Sequence, residues 1–414
     1  MPSLAFRPAR AEDIDRIVEI HTSAFPDPRG HEERRRNFLA KPFGPFADLH
    51  VAVLSRSGAP EEIVAHAFGF GFRVGVGGES VPITGIATVG VAPEARGQGY
   101  ATKLVEHVVA IGESAGAVAS FLYPFRQGFY ARLGYVSAPH VHHLALAPAA
   151  LRGLDERIRR APSDAGQLLV RRTRDVDRSS VQALYAAEVS RATGLLVRSE
   201  RLWNVHFADA RRRTYLAERE GRPCGYVSIS MHQVESHGET RIEVVDLVGE
   251  TLADRAALLA WLAGFRDQVS EVDLCLAEGD ALLPALLDLD VDRRRHGTAR
   301  IEHAIGVLAT GPMLRLASAR RALEARGYRH DGAFELSVGP EAFGLVIEGG
   351  IAKCVAAGQG PRISFTPNGL AAVAYGGLSL MSASALGWAS GDDEALFEAS
   401  RALGLPAWHT WDRF

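Results

Sequence analysis

The chain has 414 residues, more than a single domain usually contains, so two or three domains are expected. Hydrophobic residues make up 47% and charged residues 23%, which is ordinary for a water-soluble globular protein, and a net charge of -3 gives no reason to expect nucleic-acid binding. No apolar run reaches the ~20 residues that a membrane-spanning helix needs, and the N-terminus lacks a secretory signal. Three scattered cysteines favour a reduced, cytoplasmic setting without a disulfide framework or zinc site.

The first part of the chain alternates strands and helices. Residues 4–7 predict a short strand, and the apolar spacing of residues 11–25 predicts an amphipathic helix. A charged helix follows at residues 32–38. Residues 49–54 and 63–72 then predict two paired strands joined by a turn.

A glycine-rich turn at residues 96–102 is the most informative feature of this part. The apolar residues 83–91 predict a buried strand, which ends before Pro93 because a proline cannot donate to a central ladder. A helix with Leu104 and Val108 on one side follows. Backbone N–H groups and the helix dipole would meet at the turn, and they favour a phosphate or pyrophosphate. An isolated turn of this kind is as often an ordinary connection, and it matches neither a P-loop nor GxGxxG.

The turn resembles the acyl-CoA pyrophosphate loop of the GNAT N-acetyltransferases, whose signature is Arg/Gln-x-x-Gly-x-Gly/Ala. Here the signature positions are Arg96, Gly99 and Ala101. Downstream, residues 117–123 predict a buried strand, and residues 126–135 predict a short helix with the pattern Phe-Tyr-x-x-Leu-Gly-Tyr, which is frequent in this fold.

Three histidines follow as His140-Val-His-His143. On a strand His140 and His142 share one face, whereas His143 lies on the other, so we predict no metal site there.

After a linker at residues 148–166, the same order of elements begins again. The predicted elements are a strand at 168–171, a helix at 176–192, strands at 214–218, 225–230 and 242–248, and a helix at 251–262. In place of the signature this half has Gly249-Glu-Thr-Leu-Ala-Asp254. The acidic Glu250 and Asp254 would repel a pyrophosphate, so a domain without cofactor is predicted.

A third segment begins near residue 299. It predicts a helix at residues 317–325, three antiparallel strands between residues 333 and 356, and closing helices at 367–376 and 392–403. The last ten residues are aromatic, and because termini are usually loose and polar, we expect this one to be docked.

The layout of the whole chain resembles the Eis (enhanced intracellular survival) acetyltransferases. The resemblance implies an α+β (α/β) fold with two tandem GNAT-type mixed-sheet domains followed by a sterol-carrier-protein-like α+β domain. It divides the chain into an acetyl-CoA-binding GNAT domain at residues 1–150, a degenerate GNAT-like domain at 151–297, and a sterol-carrier-like domain at 298–414. The resemblance also implies a homo-hexamer.

Acetyl-CoA is the co-substrate that the resemblance implies, without a metal. Tyr130 matches the family tyrosine that protonates the leaving thiolate, and the C-terminal carboxylate, here that of Phe414, would act as the base on the amine. By spacing alone Tyr130 could equally be a core aromatic, and Tyr135 is the competing tyrosine, although its position favours the start of the next strand. The implied cofactor contacts are Val89, Gly90, Val91, Arg96, Gly97, Gln98, Gly99, Tyr100, Ala101, Thr102, Phe125 and Arg126.

The predicted function is acetyl-CoA-dependent N-acetylation of primary amines of the aminoglycoside, polyamine or lysine type. Asp27, Glu32 and Glu33 could attract a polycationic amine, although a solvated surface explains them as well. Two alternatives stay open. The third domain would suit a lipid or sterol carrier, and tandem GNAT domains also occur in N-acyltransferases that use a longer acyl-CoA. We expect no nucleic-acid or membrane partner.

Overall fold

The structure is a computed structural model of the chain. It describes residues 3–26, 28–40, 42–58, 60–137, 140–158, 168–234, 239–287, 294–295, 301–302, 305–358 and 360–414.

Three large sheets, each with helices packed on it, form the architecture. The strands in chain order are β1 (Ser3–Pro8), β2 (Leu49–Ser55), β3 (Glu62–Val76), β4 (Glu79–Val91), β5 (Ala119–Leu122), β6 (Val136–Ser137), β7 (His140–Leu146), β8 (Leu168–Arg172), β9 (Arg212–Arg219), β10 (Arg222–Val234), β11 (Glu239–Gly249), β12 (Glu271–Ala277), β13 (Arg294–Arg295), β14 (Ile301–Glu302), β15 (Gly306–Thr310), β16 (Met313–Leu316), β17 (Gly332–Val338), β18 (Glu341–Glu348), β19 (Ile351–Val355), β20 (Arg362–Phe365) and β21 (Ala389–Ser390). The helices are α1 (Ile14–Ala24), α2 (His31–Leu39), α3 (Tyr100–Ser114), α4 (Gln127–Ala131), α5 (Leu154–Ile158), α6 (Arg178–Val189), α7 (Glu200–Ala208), α8 (Leu252–Leu262), α9 (Leu282–Leu287), α10 (Ala319–Ala325), α11 (Pro367–Ala374), α12 (Leu380–Ala385) and α13 (Asp393–Leu403).

The first sheet has seven strands in the order β1-β2-β3-β4-β5-β16-β6. Its strands are antiparallel except for β4 and β5, which run parallel because α3 crosses between them. The apolar face of α3, with Leu104, Val105, Val108 and Val109, is buried against this sheet. The sheet and α3 therefore place the strand, turn and helix of the sequence motif in one continuous unit.

The second sheet has the order β15-β7-β12-β11-β10-β9-β8 and repeats the plan of the first. Its parallel pair is β11 and β12, with α8 as the crossing helix. Two pairs of consecutive strands are divided between the sheets. β6 joins the first sheet and β7 the second, although only two residues separate them. Of the next such pair, β15 joins the second sheet and β16 the first.

This exchange bears on the predicted division of the chain. The boundary at residue 150 assigns β7 to the first domain, and the boundary at 298 assigns β15 and β16 to the third. In the structure, β7 and β15 belong to the second sheet and β16 belongs to the first. An alternating apolar pattern shows that a segment is a strand, but does not specify which sheet it joins.

The third sheet has five strands in the order β19-β18-β17-β20-β21, and α11 is buried along most of its length beside it. One buried cation joins its elements. The Arg326 guanidinium donates to the carbonyl oxygens of Ala374 and Leu403 at 3.0 and 3.1 Å. The apolar residues of this unit and of the first sheet form one continuous core.

Candidate active site

The first component of the site is a gap between β4 and β5. Their parallel pairing ends at Ile86 and Leu122, whereas β4 continues to Val91. At this point β4 bulges, because two of its residues oppose one residue of β3. Thr88 lies in the bulge with a φ of 50°, which is strained for a β-branched residue. Beyond Ile86, no strand among the described residues pairs with this side of β4.

The predicted cofactor residues Val89, Gly90 and Val91 all lie on this edge. Val89 lines the cavity described below. Gly90 packs under the ring of the buried His66, where a Cβ atom would come within 2.5 Å of Nε2. A glycine at this position therefore allows the histidine ring to pack against β4.

The second component is the first turn of α3. Gly99 is the N-cap, with a φ of 78° in the left-handed region, and open space surrounds its α-carbon. Because glycine has no side chain, it cannot accept from the N–H groups of the first turn, which belong to Tyr100, Ala101 and Thr102. The site thus combines backbone donors, for which the described residues show no side-chain cap, with the positive end of a 15-residue helix.

Polar side chains arrange the loop before this helix. Arg96 is exposed and donates to the Ser23 carbonyl oxygen at 3.1 Å. The Tyr100 hydroxyl donates to Gln98 Oε1 at 2.9 Å. The carboxylate of Glu94 is paired with Arg16, so the acidic residue of the loop is neutralised. Because Arg16 offsets the negative charge of Glu94, that carboxylate repels an anion at the loop less strongly.

A cavity of about 290 Å³ lies where β4, β5 and the first helices meet. Residues 86–89 of β4 form one wall. Tyr123, Tyr130 and Phe414 line it as well, together with His21, Phe25, Arg29, Arg34, Asn37, Phe38 and Phe125. The cavity therefore joins the β4 edge to two phenols and the last residue of the sequence.

Tyr130 projects from α4 and is 2% exposed. Burial raises the pKa of its phenol above the ordinary value of about 10. Within the described chain, no side chain or backbone group is hydrogen-bonded to this hydroxyl, which leaves it available to a ligand. The rings of Phe125 and Phe129 hold the tyrosine edge to face, at centroid distances of 5.6 and 4.9 Å.

The competing Tyr135 has a different environment. It lies directly before β6 and is 1% exposed. Its hydroxyl is 2.7 Å from Ser120 Oγ, so its hydrogen bond is satisfied inside the core. This agrees with the prediction that Tyr135 starts the next strand.

Tyr123, which the sequence prediction missed, is a second phenol at the cavity. Burial raises its pKa above the ordinary value of about 10. Its ring contacts that of Phe414 at 5.6 Å. The available signal was its position directly after the buried strand β5, since functional groups collect at the carboxyl ends of parallel strands.

Phe414 completes the wall of the cavity. Its ring packs on Phe72 at 4.9 Å and approaches Phe43 at 6.2 Å. The expectation that the aromatic end of the sequence is docked is thus confirmed, and its docking place is the cavity beside Tyr130.

Comparisons with known proteins agree with this geometry. Two family models, both described as acetyltransferase (GNAT) domain, match residues 5–138 and 194–315. The chain is 28% identical to N-acetyltransferase Eis of Mycobacterium bovis over 323 residues, or 74% of each protein. The chain is an Eis-like N-acetyltransferase with two GNAT domains.

Solved structures agree at the level of the fold. A GCN5-related N-acetyltransferase from Anabaena variabilis superposes with a TM-score of 0.78 at 21% identity, and each chain is covered completely. Eis1 from Mycobacterium abscessus superposes with a TM-score of 0.69 at 19% identity, again over both complete chains. The predicted mixed α+β fold with two GNAT-type domains and a third sheet region is thereby confirmed.

The predicted acidic substrate residues do not come together at the cavity. Glu32 and Glu33 are exposed on α2 and do not line it, and Asp27 lies outside the described residues. The helix turns Arg34 and Phe38 inward instead. Arg34 donates to the Phe25 and Arg29 carbonyl oxygens at 3.0 and 3.1 Å. Of the last two predicted cofactor residues, Phe125 lines the cavity, whereas Arg126 is exposed directly before α4.

In the second GNAT domain, the first turn of the corresponding helix α8 is already capped. Thr251 Oγ1 accepts from the Asp254 N–H, and the Asp254 carboxylate accepts from the Thr251 N–H at 3.0 Å. Arg219 pairs with the fully buried Asp254 at 2.6 Å, and Arg222 makes a bidentate pair with Glu250 at 2.7 Å. Internal partners thus occupy the positions that an anion would need.

The described residues contain no group of three or more His, Cys, Asp or Glu side chains placed to hold a metal ion. They also contain no helix with the length and apolar character needed to cross a membrane.

Proposed function

We propose that this N-acetyltransferase transfers the acetyl group of acetyl-CoA to a primary amine of the aminoglycoside, polyamine or lysine type, bound in the cavity of the first domain. The observation that carries the proposal is the convergence of three features on one side of the first sheet. These are the uncapped turn of α3, the free edge of β4 and the cavity with Tyr130.

The donor is held by the backbone in this proposal. The pyrophosphate of acetyl-CoA binds the N–H groups of residues 97–102, where the helix dipole and Arg96 favour negative charge. The pantetheine arm extends along residues 89–91 as an additional strand. The thioester then lies at the β4–β5 gap, beside Tyr130. GNAT acetyltransferases use acetyl-CoA as a co-substrate, which supports the choice of donor.

Tyr130 is the proposed general acid. As the amine attacks the thioester carbon, the C–S bond breaks and the sulfur leaves as a thiolate, which takes a proton. A phenol whose pKa is raised stays protonated at neutral pH and is able to supply that proton. The absence of a hydrogen-bond partner among the described residues supports this role, because the hydroxyl is not committed to the fold.

The proposed base is the C-terminal carboxylate of Phe414. A carboxylate of this kind is ionised at neutral pH, since its ordinary pKa is about 3.3–3.7. It accepts a proton from the substrate ammonium group, directly or through water, and the neutral amine that results is able to attack the thioester. The location of Phe414 in the same cavity wall as Tyr130 supports the assignment.

We further propose the remaining features of the family for this chain. Residues 1–150 bind acetyl-CoA, residues 151–297 form a degenerate domain without cofactor, and residues 298–414 form a sterol-carrier-like domain. We propose a cytoplasmic homo-hexamer. Self-association is supported by the edge strand β15, whose Val307 and Leu308 are 66% and 63% exposed.

The test is release of free thiol from acetyl-CoA in the presence of aminoglycosides, polyamines and lysine peptides, with longer acyl-CoA donors in parallel. The proposal predicts turnover with acetyl-CoA and at least one of these amines. Tight acetyl-CoA binding without turnover on any of them would refute the proposed acceptor class. Faster turnover with a long-chain donor would refute the proposed donor.

A further inference from the structure

Residues 408–414 form what we call the tail segment, and most of it lies on the second domain. β11 and β12 pair only over Arg241–Glu243 and Glu271–Asp273, although β11 continues to Gly249 and β12 to Ala277. The β11–β12 gap that results corresponds to the β4–β5 gap of the first domain. A cavity beside it is lined by Val244 and Val245 of β11, by Cys275 of β12, and by residues 410–413 of the tail segment.

The tail segment enters this region at Trp408. The indole is 3% exposed and packs so closely on Gly194 that a Cβ atom there would lie 2.4 Å from the ring. The backbone runs beside Thr193, whose carbonyl oxygen accepts from the His409 N–H at 3.0 Å. Shape complementarity and a backbone hydrogen bond therefore fix the first part of the tail segment to the second domain.

Asp412 provides a charged anchor in the middle of the tail segment. Its carboxylate accepts from Arg198 Nε at 3.0 Å and from the Tyr185 hydroxyl at 3.2 Å. The other two nitrogens of the same guanidinium donate to both oxygens of Asp246 at 2.7 Å. The side chain of Arg198 is 2% exposed and that of Asp246 is fully buried. This pair is therefore built into the core of the second domain and presents one edge of Arg198 to the tail segment.

The charges indicate that Asp412 is not needed to neutralise Arg198. Burial alone would raise the pKa of the Asp246 carboxyl, but the charge and hydrogen bonds of Arg198 outweigh that effect and hold it at about 2. Asp246 is therefore ionised and already balances the guanidinium. Asp412 adds a second carboxylate to the Arg198–Asp246 pair. Its hydrogen bond to Arg198 therefore connects the tail segment to a pair whose charges already cancel.

The chain continues from Asp412 to the cavity of the first domain within two residues. Two residues separate Asp412 from the end of the sequence, and an extended residue spans at most about 3.6 Å. Arg413 Nη2 lies 3.2 Å from His143 Nε2 of β7. Phe414 then packs on Phe72 and Tyr123 of the first domain. The position of Phe414 is therefore set by contacts with both domains.

We propose that the β11–β12 side of the second GNAT domain is a binding groove for the chain's own tail segment, and that Asp412 is a positioning residue that holds Phe414 at the cavity. The domain thus retains the gap of an acyltransferase, and the tail segment lines the cavity beside it. The effect of Asp412 on turnover rests on the proposed role of Phe414, whereas its effect on the tail segment does not.

The experiment compares Asp412→Asn with Asp412→Glu in the full chain. The control is Glu398→Gln, which removes one negative charge from the exposed face of α13. The first measurement is the rate at which carboxypeptidase removes the last residues, followed by mass spectrometry. We expect Asp412→Asn to increase this rate by ~10-fold or more, Asp412→Glu to restore it in part, and the control to leave it unchanged. An unchanged digestion rate in Asp412→Asn would overturn the proposed groove.

The second measurement is steady-state turnover. For Asp412→Asn we expect kcat to fall by ~10- to 100-fold, as for other small misplacements of reacting groups, with the Kd of acetyl-CoA and the melting temperature nearly unchanged. A fall in melting temperature that accounts for all the lost activity would instead assign Asp412 a structural role and overturn the positioning role.

A chain extended by one glycine after Phe414 separates this inference from the proposed function. If that extension leaves kcat unchanged, the Phe414 carboxylate is not the base and the proposed mechanism fails. The digestion rates of the Asp412 variants would still decide whether the groove holds the tail segment.

Discussion

α3 and α8 occupy the same place in the two GNAT domains, after β4 and β11, yet their first turns differ in chemistry. α3 begins at Gly99 and leaves its first N–H groups without a side-chain acceptor. α8 begins at Thr251, and the carboxylate of Asp254 lies in its first turn with Arg219 beside it. The same topology therefore produces a helix start without a side-chain cap, which is our proposed anion site, in one domain and a closed helix cap in the other.

The helices that follow β5 and β12 also differ in the functional groups that they carry. α4 carries Tyr130 to the cavity of the first domain, whereas α9 follows β12 in the second domain with the apolar sequence Leu-Leu-Pro-Ala-Leu-Leu. The β4–β5 gap borders an open cavity, while the tail segment lies on the β11–β12 side. These differences support the proposal that the first domain carries the chemistry and that the second supplies a surface that positions Phe414.

The largest expected effect comes from removing the phenol that α4 carries to the cavity and that the sequence of α9 does not contain. Tyr130→Phe should lower kcat by ~10²-fold or more, because general-acid catalysis typically contributes 10²–10⁴. The Kd of acetyl-CoA should stay nearly constant, since the ring is retained. Tyr123→Phe is the matched control at the same cavity and should have the smaller effect. Equal losses in both variants, or none in Tyr130→Phe, would contradict the assignment.

The next effect comes from giving α3 the carboxylate of α8. Thr102 and Asp254 both occupy the third position of their helices. Thr102→Asp should weaken acetyl-CoA binding by ~100-fold, because like charges placed together cost several kcal/mol. Thr102→Asn has nearly the same shape without the charge and should bind within a few-fold of the unmodified chain. Calorimetric titration measures both, and equal affinities for the two variants would argue against a pyrophosphate at this turn.

The converse change concerns stability. Asp254→Asn keeps the size of the cap but removes the charge that Arg219 pairs with, so the free energy of unfolding should fall by about 2 kcal/mol. Acetyl-CoA affinity and kcat of the folded protein should not change. Urea denaturation measures the first quantity. A loss of acetyl-CoA binding in this variant would indicate that the second domain also takes part in cofactor binding.

The smallest effect is a pH dependence in the second domain. His206 is buried beside Asp246, and burial lowers its pKa to about 4. In the unfolded chain a histidine has a pKa of about 6.5, so between pH 6.5 and 4 the unfolded state binds a proton that the folded state does not. The stabilisation is therefore complete above pH 6.5 and decreases as the pH falls.

Between pH 7.5 and 5.5 this difference amounts to about 1–2 kcal/mol. Thermal unfolding of the unmodified chain and of His206→Gln at both pH values measures it. The melting temperature of His206→Gln should decrease less between pH 7.5 and 5.5 than that of the unmodified chain. An identical decrease in both proteins would mean that His206 does not contribute.

Local signals were sufficient to predict the strand, turn and helix that form the proposed cofactor site. The glycines at 97 and 99 and the following apolar helix specify a strand, a turn and a helix, because these residue types leave the backbone few alternatives. The aromatic content of residues 405–414 likewise predicted that this segment docks, although not where.

Non-local choices could not be predicted in the same way. The sequence does not specify that β7 joins the second sheet and β16 the first, because an alternating pattern fixes the faces of a strand but not its partners. It also gives no reason to bury Arg34, since a charged residue on a mostly polar helix is ordinarily exposed. Glu32 and Glu33 are exposed on the same helix and do not line the cavity, and their role in attracting an amine stays a prediction.

The central claim is that the first of the two GNAT domains holds the acetyl-CoA site. The most direct test is the stoichiometry of acetyl-CoA binding to the full chain, measured by calorimetric titration and repeated with Thr102→Asp. With a single site at the first turn of α3, we expect one acetyl-CoA per chain and a loss of that binding in Thr102→Asp. Two molecules per chain, or one that Thr102→Asp leaves undisturbed, would contradict it.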